Sequence, residues 1–155
     1  MFPTIAIANH FIMRGFRDGV HVSPMKLQKL VYFAHGWYLA LFNKPLIDER
    51  VEAWRFGPVI PSIYHRYKKF GNNSIDPRRT KVEEYPIDES TLEFLSFIWD
   101  LYKGFTAVEL SNLTHVKRSP WDEMVEKNGR RIRFNQPIHD EAIQRYFKKE
   151  YLEQE

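Results

Sequence analysis

Cysteine is absent from the 155 residues. That excludes a disulfide framework, a zinc–thiolate site and a cysteine nucleophile, and it fits a reducing compartment. Long apolar runs are absent too. None approaches the ~20 residues that cross a bilayer without polar interruption. The first residues, Met1 to Gly15, include Asn9, His10 and Arg14 and no small-residue cleavage site, so they do not read as a signal peptide. A soluble chain in the cytoplasm is expected, with no membrane partner. Glycine is scarce: the seven present are dispersed, with no Gly-rich phosphate loop and no Gly-x-Ser-x-Gly elbow. Strong charge of one sign is lacking as well. The net charge is +3, well short of the bias of a dedicated nucleic-acid binder.

A reactive constellation is equally hard to find. His10, His21, His35, His65, His115 and His139 are scattered, and no two stand at i, i+4, the spacing that would bring ligands onto one helix face. Carboxylate pairs such as Glu83-Glu84 and Asp88-Glu89 fall in loops or at helix starts, where negative charge complements the helix dipole. No catalytic residue, metal or cofactor is therefore expected. Basic clusters occur at Arg66, Lys68 and Lys69, at Arg78, Arg79 and Lys81, at Lys117 and Arg118, and at Arg130, Arg131 and Arg133. Solvated faces are the common outcome for such runs. Converged in space, they could neutralise phosphates or steer an acidic protein.

Aromatic residues are what the chain has in plenty: twelve Phe, eight Tyr and four Trp. Much of the interior must be built from rings. Helical periodicity and capping signals predict helices over Thr4 to Asp18, Ser23-Pro24 to Phe42, Pro61 to Gly71, Asp88 to Tyr102, Thr106 to Thr114, Ser119-Pro120 to Gly129, and Asp140 onward. Inward positions are expected at Ile5, Ala8, Ile12 and Phe16 in the first, and at Leu27, Leu30, Val31, Ala34, Tyr38 and Leu41 in the second. The third is expected to turn Ile63, Tyr64 and Tyr67 inward, and the fourth Leu92, Leu95, Ile98, Trp99 and Tyr102. The second helix is apolar nearly all round, which marks a buried central helix. Val51 to Arg55 alternates like a short strand, Gly57-Pro58 breaks the pattern, and Arg130 to Asn135 is a candidate second strand. Asn72 to Pro86 reads as a polar surface loop. The expected fold is mainly α: a single compact domain over residues 1–155, with six or seven helices around a buried central helix and a small two- or three-stranded β element.

The stretch from Met25 to Phe70 carries more than periodicity. Leu27-Gln28-Lys29-Leu30, the Tyr32 to Trp37 run, Lys44-Pro45-Leu46, the Glu52 to Pro61 run and Tyr64 together resemble the SocA-like, phage-associated Panacea antitoxin domain family. Leu110, Thr114-His115 and Ser119-Pro120-Trp121 resemble its second block, within residues 106–147. The loop from Asn72 to Glu84 has no counterpart in that pattern, and no appended DNA-binding segment is visible. The resemblance implies an antitoxin that binds and blocks a cognate protein toxin, not an enzyme. A proteolytic adaptor that presents a toxin to an ATP-dependent protease, or a nucleic-acid-binding regulator, is the alternative. Nucleic acid is not the expected partner.

Within the matched blocks, Lys29, Tyr32, His35, Trp54, Arg55, Tyr64 and His115 are the candidate partner-binding residues. Lys29, Tyr32 and His35 are polar-tipped residues on an apolar helix. Buried they need partners, and exposed in a groove they could touch a toxin. Trp54 and Tyr64 suit an interface or a core equally. Gly36, Gly57, Pro58, Pro61, Pro120 and Trp121 are assigned structural roles: a strand-to-helix turn at Gly57-Pro58, helix starts at Pro61 and Pro120, an anchor at Trp121. At Gly36, close approach of another backbone is expected, since glycine there costs about 1 kcal/mol of helix propensity.

Overall fold

The computed structural model describes residues 1–83, 85–131 and 136–153. Seven α-helices are formed among the described residues: α1 (Thr4–Asp18), α2 (Pro24–Phe42), α3 (Pro61–Tyr67), α4 (Glu89–Tyr102), α5 (Ala107–Thr114), α6 (Pro120–Lys127) and α7 (Asp140–Phe147). A 3-10 turn, Lys68–Phe70, prolongs α3, and a wider π turn, Lys148–Leu152, prolongs α7. Strands β1 (Val51–Trp54), β2 (Gly57–Val59) and β3 (Gln136–Ile138) make one antiparallel sheet in the order β2-β1-β3.

Helix α2 is the centre, as its all-round apolarity implies. The Ser23 hydroxyl accepts from the Lys26 N–H at 3.3 Å, Pro24 fills the first turn, and Asn43 ends the helix in the left-handed region. Between these caps, Leu27, Leu30, Val31, Tyr32, Phe33, Ala34 and Leu39 are all buried, and α1, α3, α4, α5 and α7 pack around them. The interior is ring-rich. Phe33 stacks on Tyr102 at 4.5 Å and meets Phe147 edge-on at 5.9 Å, and Phe11 stacks on Trp99 at 6.4 Å.

Four expected inward residues lie outside the core. Phe16, Leu41, Tyr64 and Leu92 are exposed, whereas Ile7, Phe11 and Phe94 are buried. In each helix the true stripe is set by the neighbour, which lies a fraction of a turn from where periodicity alone centres it. Gly57-Pro58 also differs from expectation: it opens β2 and does not end the strand pattern. Arg55 and Phe56 form a two-residue turn and Trp54 pairs with Gly57 across it. The turn closes because Gly57 adopts φ +112, a left-handed value that costs glycine nothing. Pro58 and Pro137 sit on the two outer strands, where a missing N–H is tolerated. Of the second expected strand, Arg130 and Arg131 belong to the turn after α6, residues 132–135 lie outside the described residues, and the strand that pairs with β1 is Gln136–Ile138.

The Asn72 to Pro86 segment has no helix or strand among its described residues, yet it is anchored. Ile75 is buried and donates its N–H to the Val22 carbonyl at 2.9 Å. At Gly36 the close neighbour is a side chain, not the backbone expected: a β-carbon added there would land in the Phe147 ring.

Candidate partner-binding site

The β1–β2 hairpin leans on α2 and α5, and side chains from both helices bond its tip. Lys29 is fully buried on α2, and its ammonium donates to the carbonyls of Phe56 at 3.1 Å and Pro58 at 3.3 Å. No carboxylate pairs with it among the described residues, and burial lowers the amine to about 7. One residue earlier, the Gln28 side chain bridges Ile60, donating to its carbonyl at 3.0 Å and accepting its N–H at 2.9 Å. Two polar residues on an apolar helix thus satisfy the backbone on both sides of β2. Glycine at position 57 is required by space as well as by φ. An added β-carbon would stand 2.7 Å from the Lys29 Nζ, 2.9 Å from His115 Cε1 and 3.0 Å from Thr114 Oγ1.

From the other side, α5 and the loop after it close on the hairpin. Thr106 and Glu109 form the reciprocal capping box that starts α5. At its end, His115 Nδ1 lies 2.7 Å from the Ser111 carbonyl, and its ring packs 4.3 Å from Trp121. The Trp121 indole donates to the Trp54 carbonyl at 2.7 Å, which ties the start of α6 to the hairpin. Ser119 caps α6 and also donates its hydroxyl to the Thr114 carbonyl at 3.0 Å.

The seven candidate residues therefore separate into two groups. Lys29, Tyr32 and His35 are buried, so of their two readings the buried one applies. His35 Nε2 faces the Asp140 carboxylate at 2.9 Å, tying α2 to the start of α7, while its Nδ1 has no partner among the described residues. Tyr32 meets Phe33 and Phe147 edge-on, and burial holds its phenol far above the ordinary range. Trp54, Arg55, Tyr64 and His115 reach the surface in whole or part. Trp54 packs on Tyr64 at 4.9 Å, so Tyr64, displaced from the core, belongs to an aromatic group at the hairpin's flank. Sequence reasoning missed Phe56, which is 64% exposed at the tip. The available signal was an aromatic residue between an alternating strand and a glycine.

The basic clusters meet in pairs: Arg66 donates to the Lys81 carbonyl at 2.9 Å, and Arg130 shares a groove with Lys117 and Arg118. Lys117, Arg118 and Arg130 line a groove of about 1020 Å³ between α6 and α7, but Asp122, Glu123 and Glu126 line it too, and Arg130 is paired with Asp122 and Glu126. Among the described residues, no group of three or more His, Asp or Glu is placed to hold a metal, and no helix is long and apolar enough to cross a membrane.

The family model for the Antitoxin SocA-like, Panacea domain matches residues 27–122, from the first turns of α2 to the start of α6. The chain belongs to this family. The match contains Lys29, the whole hairpin, α3, α4 and the α5–α6 junction, so the hairpin and its supports lie within the family pattern. Over 152 residues the chain is 28% identical to Antitoxin SocA of Caulobacter vibrioides (strain NA1000 / CB15N), which covers 92% of this chain and 81% of that relative. No solved structure matches it significantly.

Proposed function

We propose that this chain is an antitoxin that binds a cognate protein toxin directly and neutralises it by forming the complex. Membership of the antitoxin family carries this reading. The architecture supports it: the Gln28 and Lys29 side chains buried under the hairpin bond its backbone carbonyls and an amide, which holds a surface in place. Arg55, Phe56 and Tyr64 are the residues in reach of a partner, with Trp54 and His115 at the edge. Lys29 acts from beneath the hairpin, while Tyr32 and His35 brace α2 against α7.

The test is co-expression with the product of the adjacent gene. That product alone is expected to arrest growth; with this chain present, growth recovers, the two proteins purify together, and the toxin's level is unchanged. Recovery that depends on an ATP-dependent protease and on loss of the toxin would replace occlusion with adaptor-driven degradation. A harmless neighbour, or one that stays toxic, would end the antitoxin reading.

A further inference from the structure

The surface of the hairpin tip and α3 has an unusual composition. Arg55 lies over the Phe56 ring at 5.7 Å, Lys68 over Tyr64 at 5.7 Å, and Lys69 over Phe70 at 5.5 Å. Tyr64 is in turn packed against Trp54 at 4.9 Å and His65 at 5.4 Å. Arg55, Phe56, Tyr64, His65, Lys68 and Lys69 are all exposed. None of the three cations is paired with a carboxylate among the described residues. The acids nearest in the chain are already engaged: Glu49 accepts from the Ser62 N–H and hydroxyl, and Glu52, buried, accepts from Arg50 and from the Trp54 indole. Arg78, which also lies over a ring, that of Phe16 at 5.4 Å, is by contrast paired with Asp76 at 3.0 Å. Cations laid on aromatic faces and left without counter-charge are what an acidic, apolar-tipped surface would complete.

We infer that this face, centred on Arg55, Phe56, Tyr64 and Lys68, is the docking surface, and that its occupant is an acidic segment of the partner protein. The inference rests on the antitoxin reading for the partner's identity, and on charge for its chemistry. Docking places carboxylates against Arg55 and Lys68 and an apolar group against Phe56 and Tyr64. The Lys29 and Gln28 bonds under β2 keep the backbone of the tip from rearranging, so less freedom is lost on binding. A nucleic acid would also meet the charges, but the exposed Phe56 and the interleaved acids of the neighbouring groove favour protein.

The experiment is a titration of the ¹⁵N-labelled full chain with a synthetic peptide of alternating Glu and Trp, and with its Lys-for-Glu counterpart. The acidic peptide is expected to shift the amides of Trp54 to Gly57 and Tyr64 to Lys69. Its affinity should fall several-fold between 50 and 200 mM salt, about the sensitivity expected for a few ion contacts, and at least tenfold in the double variant R55E/K68E. Equal binding of the basic peptide, shifts on another face, no binding at all, or tighter binding of a single-stranded oligonucleotide at this face would overturn it. A second arm separates the two claims. If R55E/K68E neutralises the adjacent-gene toxin as well as the unaltered chain does, the surface is wrong and the function stands. If the acidic peptide binds at the tip but no toxin is neutralised, the surface stands and the function is wrong.

Discussion

Lys29 is the residue whose physics is most exposed to measurement. Its amine, ordinarily at 10.5, is lowered to about 7 by burial. Between those values the unfolded chain holds a proton that the folded chain has released, so stability rises with pH from about 7 towards 10.5. Below about 7, Lys29 is charged in both states and the cost of burying that charge is fully present. Chemical denaturation at pH 7 and pH 9 is expected to show a gain of roughly 2 kcal/mol from this group. Lys29→Met is expected to remove that gain, and an unchanged slope in the variant would show that the buried amine does not titrate there. Part of this was legible in the sequence. Lys29 stood out, with Tyr32 and His35, as a polar-tipped residue on an apolar helix, and burial obliges such groups to find partners. Which partners they find was not legible, because the Phe56 and Pro58 carbonyls are 27 and 29 residues away and are brought near only by the hairpin. Gly57 was assigned a turn on its sequence neighbours. That it must also leave room for Lys29, Thr114 and His115 is a fact of packing alone.

At the scale of elements, the caps were the most readable signals. Ser23, Asp88, Thr106 and Ser119 each accept a backbone N–H of the first turn they precede, because that bond is local and depends on little else. Helix faces were less readable. Phe16, Leu41, Leu92 and Tyr64 match an apolar period yet stand outside the core, since phase is fixed by the helix packed alongside and not by the period itself. The hairpin was half visible. Alternation marked β1, but Gly57-Pro58 looks like punctuation, and only pairing across the Arg55-Phe56 turn makes a strand of it. The α2–α7 contact yields a sharp prediction. Gly36 faces the buried Phe147 ring with no room for a methyl group, whereas Gly104 has no neighbour within 4 Å of an added β-carbon. Gly36→Ala is expected to destabilise the fold by about 2 kcal/mol through overpacking, despite its gain in helix propensity. Gly104→Ala, the control, should change stability by less than about 0.5 kcal/mol. Urea denaturation of both variants checks this, and a neutral Gly36→Ala would mean that α7 is not seated as described.

Taken whole, the molecule is a ring-packed helical scaffold that holds one small hairpin at its surface, and the family match runs across the hairpin and its supports. The mainly α fold with a small β element was legible from capping, periodicity and the Met25 to Phe70 pattern, though not the pairing of its strands. Surface composition was not, because exposure at Phe56 and Tyr64 and the placement of Arg55, Lys68 and Lys69 over rings, without an acid beside them among the described residues, are properties of the assembled structure. The central claim is that neutralisation is binding and nothing more. Its most direct measurement mixes purified chain with the purified product of the adjacent gene, free of ATP and protease, and follows complex formation by calorimetry and that product's own toxic activity in the same samples. The expected result is a stoichiometric complex whose formation tracks the loss of toxin activity point for point. Loss of activity without a complex, or a complex in which the toxin remains active, would contradict it.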